Sequence, residues 1–252
     1  MTDISDYKVY NYGMQKSMID KMFFIDKIFD VKNVLDFGCA NGEMLKHLGT
    51  DYNLFGYDID ETMLDIAKIN CPNATYSDSF EELIDYIIPE ETLLTLSSVI
   101  HEVYSYSSKE EVDLFWDRVY NTGFKYISIR DLMVSKSCDR KIEINDYVKM
   151  IQNSDQDQLK GFTEIWGDLN SNKQMIHYLL KYRYKANWER EVRENYLPIT
   201  TEELLKSVPL DKYEIIYFEH YILPFNKETI NEKYNINIVD NTHVKLLLKR
   251  IK

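Results

Sequence analysis

The chain has 252 residues, of which 44% are hydrophobic, so it can form one large α/β domain or a core with a smaller subdomain. Its 30 basic and 42 acidic side chains give a formal net charge of −12, which argues against a broad nucleic-acid surface but permits a local basic patch. The cysteines Cys39, Cys71 and Cys138 have neither zinc-site nor disulfide-framework spacing, and no leader or membrane-length apolar run is evident, so we expect a cytoplasmic protein without metal.

The first predicted element is an amphipathic helix. Met18, Met22, Ile25 and Phe29 recur at steps of four and three, which predicts a helix over residues 15–29 packed on the core.

Strands and helices then alternate through the middle of the chain. The strands are predicted at residues 31–37, 53–58, 74–76, 92–97 and 124–129. Two of the intervening helices begin with capping-box spacing, at Ser79-x-x-Glu82 and Ser108-x-x-Glu111. This alternation implies right-handed crossovers and a parallel, doubly wound α/β sheet, which binds ligands at the carboxyl ends of its strands.

The pattern changes after the fifth strand. Residues 135–199 are polar and helical, too long for an ordinary connection, and predict an inserted helical cap. A helix capped by Thr200 then precedes two strands, at 213–223 and 242–251, which can close the sheet as an antiparallel pair.

The most informative segment, Val-Leu-Asp-Phe-Gly-Cys-Ala-Asn-Gly at 34–42, is an apolar strand that ends in an acid and turns through small residues into a helix. Gly38 and Gly42 permit close backbone approach, and Ala40 keeps the loop small. The helix start offers unpaired N–H groups to a carboxylate, and Asp36 can hold a cationic amino group.

A second acid, Asp58, ends the next strand, where a carboxylate can accept both hydroxyls of a ribose. Such an acid also serves NAD enzymes, so it indicates a nucleoside cofactor without choosing which one. Asp36 makes that choice, because an acidic entrance would repel the pyrophosphate of a dinucleotide.

These segments resemble motif I, the acidic ribose loop and later strand-end motifs of class I S-adenosylmethionine (AdoMet)-dependent methyltransferases, over about residues 31–132. The middle glycine of the family loop is Ala40 here. By this resemblance AdoMet is the cofactor, and its contacts are Asp36, Gly38, Ala40 and Gly42 at the methionine portion, Asp58 at the ribose, Ile59, Asp78 and Ser79 at the adenine, Ser97 at the methionine side, and Tyr12 as an N-terminal cover. Asp78 and Ser79 have a simpler alternative as a helix cap.

The resemblance also implies a Rossmann-like seven-stranded sheet. The chain then divides into an N-terminal helical segment (1–30), an AdoMet-binding core (31–134), a helical cap insertion (135–199) and the last strands (200–252).

A polar and aromatic cluster follows the fourth strand, where the transferred methyl group should point. His101 is the candidate general base, with Glu102 to orient it; its alternative is a histidine that caps the helix or bonds the cofactor. Tyr104 is a candidate for substrate binding. Arg130, followed by Asp131, is another, since it can bind an acceptor carboxylate, phosphate or amide; a surface ion pair is the alternative.

The predicted function is methyl transfer to an oxygen or nitrogen of a small-molecule acceptor beneath the cap. The cap interleaves basic residues with aromatic ones, namely Lys173, Lys181, Arg183, Lys185, Arg190 and Arg193 with Tyr178, Tyr182, Tyr184 and Trp188. That composition also suits an RNA or DNA methyltransferase, although interrupting glutamates favour a lid. A third alternative is a catalytically silent partner subunit with the same fold.

Overall fold

In a computed structural model, which describes residues 18–251, seven strands form one sheet. The strands are β1 (Asn33–Phe37), β2 (Asn53–Tyr57), β3 (Thr75–Ser77), β4 (Thr92–Ser97), β5 (Tyr126–Leu132), β6 (Tyr213–Tyr221) and β7 (His243–Arg250). Their order across the sheet is β3-β2-β1-β4-β5-β7-β6. Strands β1 to β5 are parallel, and β7 runs antiparallel to both β5 and β6. The predicted doubly wound sheet with a terminal antiparallel pair is therefore confirmed.

Helices connect the strands. Those among the parallel strands are α1 (Glu43–Leu48), α2 (Glu61–Asn70), α3 (Phe80–Asp85), α4 (Ile100–Tyr106) and α5 (Lys109–Asn121). After β5 come α6 (Ile144–Asn153), α7 (Gln156–Trp166), α8 (Asn172–Lys181), α9 (Trp188–Glu191), α10 (Thr201–Ser207) and α11 (Pro224–Tyr234). Within residues 18–251, no helix has both the length and the apolarity to cross a membrane.

Capping explains where several helices begin. Reciprocal capping boxes start α5, through Ser108 and Glu111, and α10, through Thr200 and Glu203, as their spacing predicts. The Ser79 side chain caps α3, but its partner Glu82 accepts a hydrogen bond from Ser77 and does not close a box.

The N-terminal segment differs from its predicted helix. Within the described part of residues 15–29, helix covers 18–21 and turns follow over 22–27. Ile25 and Phe29 of the predicted apolar stripe are exposed, whereas Phe24 and Ile28 are buried. The turns bury Phe24 and Ile28, and Asp20 pairs with cationic residues of the sheet. These tertiary contacts outweigh the helical spacing of the apolar residues in the sequence.

The sheet has apolar side chains on both faces, since successive residues of a strand point to opposite sides. Leu35 and Leu94 belong to one core cluster, and their neighbours Val34 and Leu93 belong to another. A third cluster joins α6 to α9 with α11, so the helical segment after β5 has a core of its own.

Candidate active site

The loop after β1 follows a tight backbone path. Gly38, Ala40 and Gly42 have φ angles of 76°, 45° and 72°, in the left-handed region that favours glycine. The N–H groups of Gly38 and Cys39 donate to the carbonyl of Tyr57. A β-carbon at Gly38 would come within 2.7 Å of a methyl carbon of Val99, so a larger residue does not fit there.

A cavity of about 80 Å³ opens beside this loop. Its lining includes Met18, Lys21, Asp36, Ala40 and Ser97. The hydroxyl of Ser97 is buried and has no hydrogen-bond partner within residues 18–251, so it can bond a polar group that enters the cavity.

Asp36 lies at the floor of this cleft and is 4% exposed. Its Oδ1 accepts a hydrogen bond from the hydroxyl of Thr95 at 2.8 Å. Burial raises the pKa of Asp36 to about 7, although the Thr95 hydrogen bond and the nearby Lys21 ammonium lower it. A cationic ligand group would favour the ionised carboxylate.

Asp58 connects the two loops at the carboxyl ends of β1 and β2. Its Oδ2 accepts the N–H of Ala40 at 2.7 Å, and its Oδ1 accepts the N–H of Asp60 at 3.0 Å. Each carboxylate oxygen can accept a further bond, so Asp58 positions the loop and keeps capacity for ligand hydroxyls.

The other predicted cofactor contacts lie at the same edge. The side chain of Ile59 is 81% exposed just beyond Asp58. Asp78 is exposed, and Ser79 is the N-cap of α3, as the simpler alternative expected. Tyr12 lies outside the described residues.

His101 is 6% exposed at the start of α4. Its Nδ1 lies 2.7 Å from Oδ1 of Asp131. Asp131 is fully buried and also accepts the backbone N–H groups of Ile100 and Leu132, each at 2.7 Å. The expectation that Glu102 orients His101 is therefore wrong, because Asp131 holds the ring.

The contact with Asp131 affects the pKa of the His101 imidazole and determines which ring nitrogen carries the proton in its neutral form. Burial lowers the pKa of His101, but the carboxylate of Asp131, with smaller contributions from Glu102 and Glu194, raises that pKa above its usual value. Burial likewise raises the pKa of Asp131, and His101 with two backbone N–H groups brings it below the usual range. In the neutral ring, Nδ1 carries the proton toward Asp131, and the lone pair lies on Nε2.

A residue of the helical insertion faces that nitrogen. Oε2 of Glu194 lies 3.9 Å from Nε2 of His101, and Glu194 is 3% exposed. Its other oxygen, Oε1, accepts hydrogen bonds from Arg190 and from the hydroxyl of Tyr106. The insertion therefore covers the carboxyl end of β4.

Arg130 lies within β5 and is buried, because β7 pairs with that strand as far as Leu132. It donates to Asp20 and to the hydroxyl of Ser98, each at 2.9 Å. The alternative of a surface ion pair is thus wrong. Whether an acceptor reaches Arg130 stays a prediction.

Tyr104 packs against α5 and accepts a hydrogen bond from the indole N–H of Trp116 at 3.0 Å. Its substrate role also stays a prediction.

The basic and aromatic residues of the insertion do not form one exposed surface. Tyr178 and Lys181 are completely buried, and Tyr182 is nearly so. Lys181 donates to the carbonyl oxygens of Glu191 and Glu194, which fixes the segment that carries Glu194. Burial lowers the pKa of Lys181 to about 7.

The strand order, with β7 antiparallel, is the sheet of the class I AdoMet-dependent methyltransferases. A family model described as a methyltransferase domain matches residues 10–222, so the chain belongs to this family and is an AdoMet-dependent methyltransferase. No curated protein matches it.

Solved structures share the fold at low sequence identity. The chain is similar to a SAM-dependent methyltransferase from Anabaena variabilis, with 15% identity, TM-score 0.53 and coverage of 93% of this chain and 83% of that one. A SAM-dependent methyltransferase from Archaeoglobus fulgidus is similar at 15% identity and TM-score 0.53. The match covers 93% of this chain and 93% of that one. One from Methanosarcina mazei has 13% identity, TM-score 0.50 and coverage of 90% and 95%.

Two residues of the site were missed from sequence. From sequence, Asp131 was named only as the neighbour of Arg130, and Glu194 was counted only among the acidic residues of the cap. The strand-end position of Asp131 was a usable signal, because His101 follows the carboxyl end of the neighbouring strand β4. Nothing local to Glu194 indicates that it reaches His101.

Proposed function

We propose that the chain transfers the methyl group of AdoMet to an oxygen or nitrogen of a small-molecule acceptor enclosed by the helical insertion. The observation that carries this proposal is the contact between Glu194 of the insertion and His101 at the carboxyl end of β4, because it encloses the site in protein. Bound AdoMet supplies an electrophilic methyl group on a sulfonium.

The cleft after β1 fits AdoMet by its chemistry. Asp36 would hold the cationic amino group of the methionine portion, and the Ser97 hydroxyl would gain the polar partner it lacks within residues 18–251. Asp58 would accept ribose hydroxyls with the lone pairs that the loop leaves open.

His101 is the proposed proton acceptor. Asp131 holds Nδ1, which leaves the Nε2 lone pair facing the enclosed side, and it stabilises the imidazolium that proton uptake would form. Transfer itself needs alignment, since the acceptor atom must lie in line with the breaking bond.

A small acceptor fits the insertion better than a nucleic acid does. Stacking on bases requires exposed aromatic rings, and Tyr178 and Tyr182 are buried in the apolar core of the insertion. The formal charge of −12 also opposes a polyphosphate.

The experiment separates cofactor binding from turnover. Calorimetry should detect AdoMet and S-adenosylhomocysteine (SAH), and Asp58→Ala should weaken both by about 1.5–3 kcal/mol per lost hydrogen bond. His101→Ala should leave AdoMet affinity nearly unchanged and slow methyl transfer by about 10²–10⁴-fold. Absence of AdoMet binding would refute the proposal, and unchanged turnover would make His101 structural.

A further inference from the structure

The polar cluster around His101 contains more hydrogen-bond acceptors than donors. Nε2 of His101 and carboxylate oxygens of Glu102 and Glu194 lie within 4.8 Å of one another; we call these three atoms the acceptor trio. Neither Nε2 of His101 nor Oε2 of Glu194 makes a hydrogen bond to another atom of residues 18–251. Both side chains are more than nine-tenths buried.

Charge at this cluster favours a cation. Three carboxylates, those of Glu102, Glu194 and Asp131, lie near two cationic side chains. Arg190 pairs with Glu102 and Glu194, and the Lys181 ammonium donates to the backbone carbonyl of Glu194. Arg190 contacts Oε1 of Glu194, so it does not occupy the side that faces His101. Buried negative charge without a partner is costly, and a positive group beside the acceptor trio would offset it.

The spacing of the acceptor trio suits a small cationic group. Oε2 of Glu194 lies 3.9 Å from Nε2 of His101, and a carboxylate oxygen of Glu102 lies within 4.8 Å of both. A nitrogen about 2.8 Å from each acceptor, the length of a charged N–H···O hydrogen bond, is compatible with these distances. The proposed function places a methyl acceptor beside His101, which favours an ammonium group over a metal ion. An ammonium group has three N–H donors for these three acceptors.

We propose that the acceptor trio binds the primary ammonium group of an amine acceptor, which makes the enzyme an amine N-methyltransferase. Entry is possible from the side of Glu102, whose side chain is 40% exposed. This inference rests on the proposed function and narrows its acceptor from an oxygen or nitrogen to a nitrogen.

Methyl transfer to the amine requires that its ammonium group first lose a proton, and His101 can accept that proton. The ammonium loses one proton to Nε2 of His101, giving an imidazolium that Asp131 faces and an amine with a free lone pair. The amine nitrogen forms a bond to the methyl carbon as the sulfonium carbon–sulfur bond breaks. The electron pair of that bond stays on sulfur, and the positive charge passes to the methylated nitrogen.

Matched amine and alcohol pairs test the inference by calorimetry on the full chain saturated with SAH. Phenethylamine and butylamine should each bind at least about tenfold more tightly than 2-phenylethanol and butanol, because only the ammonium supplies charged donors. Equal binding within each pair, or no amine binding, would overturn the inference. The SAH affinity, measured first, reports separately on the proposed cofactor site.

Substitutions of Glu194 and Glu102 test whether the amine binds at the acceptor trio. Glu194→Gln and Glu102→Gln should each weaken amine binding at least about tenfold with SAH affinity unchanged. Glu189→Gln, an exposed glutamate of the same insertion, is the matched control and should behave as wild type. Glu102 is half-exposed, so its variant keeps the test valid if Glu194→Gln does not fold. Unaltered amine binding in Glu102→Gln, or saturable MnCl₂ binding that Glu102→Gln abolishes, would overturn the inference.

Discussion

Asp36 shows how one buried carboxyl group links the cleft to the stability of the protein. Its pKa is raised by burial to about 7, with the Lys21 ammonium acting in the opposite direction and the Asp58 carboxylate adding to the rise. The native state therefore binds the proton more tightly than the unfolded chain, whose pKa is near 3.8. Stability from this group is present at low pH and is lost as pH rises from about 4 to about 7.

Asp36→Asn should remove this pH dependence. Between pH 5 and pH 8, the free energy of unfolding of the ligand-free wild type should fall relative to the variant, by at most roughly 3 kcal/mol. Urea unfolding at several pH values measures it, with Asp65→Asn, an exposed aspartate on α2, as the control. Parallel pH profiles for wild type and Asp36→Asn would contradict the assignment.

At the scale of elements, Asp20 fastens the N-terminal segment to the sheet. Its carboxylate accepts hydrogen bonds from Arg130 of β5, Lys245 of β7 and Tyr221 of β6. Met18 and Lys21, on either side of Asp20, line the cavity beside the β1 loop. The contact thus joins three strands to the segment that borders the cleft.

Asp20→Asn should cost about 3 kcal/mol of stability, because it leaves buried cations without their counter-ion. AdoMet binding should weaken as well, since the lining of the cavity loses its anchor. Chemical unfolding and calorimetry measure the two effects. Asp26→Asn alters an exposed aspartate of the same segment and should change neither; equal behaviour of the two variants would rule out the anchor.

Sequence predicted the elements whose signal is local. The acid and the small residues after β1 are enough to predict a turn at that place. Capping-box spacing located the starts of α5 and α10 correctly. The end of β5 was placed too early, because β7 extends that strand and β7 is far away in the sequence. For the same reason the partners of His101 were not found, since Asp131 and Glu194 reach it only through the tertiary fold.

At the scale of the whole molecule, the insertion contacts the core beside His101 through polar bonds and through the ring of Tyr196, which packs edge-on against the His101 ring. The backbone N–H of Asn195 donates to the hydroxyl of Ser105 at 2.7 Å, and Tyr106 donates to Glu194. The apolar cluster of the insertion includes Ile230 and Tyr234 of α11, so a movement of the insertion as a unit would carry α11 with it. Such an arrangement suits a lid that controls access to His101.

Hydrogen exchange should separate the motions of lid and core. SAH alone should slow exchange over residues 36–60, whereas exchange over residues 188–197 should slow only when phenethylamine is added. Ser105→Ala should speed exchange of the Asn195 amide by removing its acceptor, and Ser107→Ala, near the same end of α4, is the control. If residues 188–197 exchange at one rate with and without both ligands, and Ser105→Ala has no effect, the insertion is a fixed part of the structure and access to His101 requires another route.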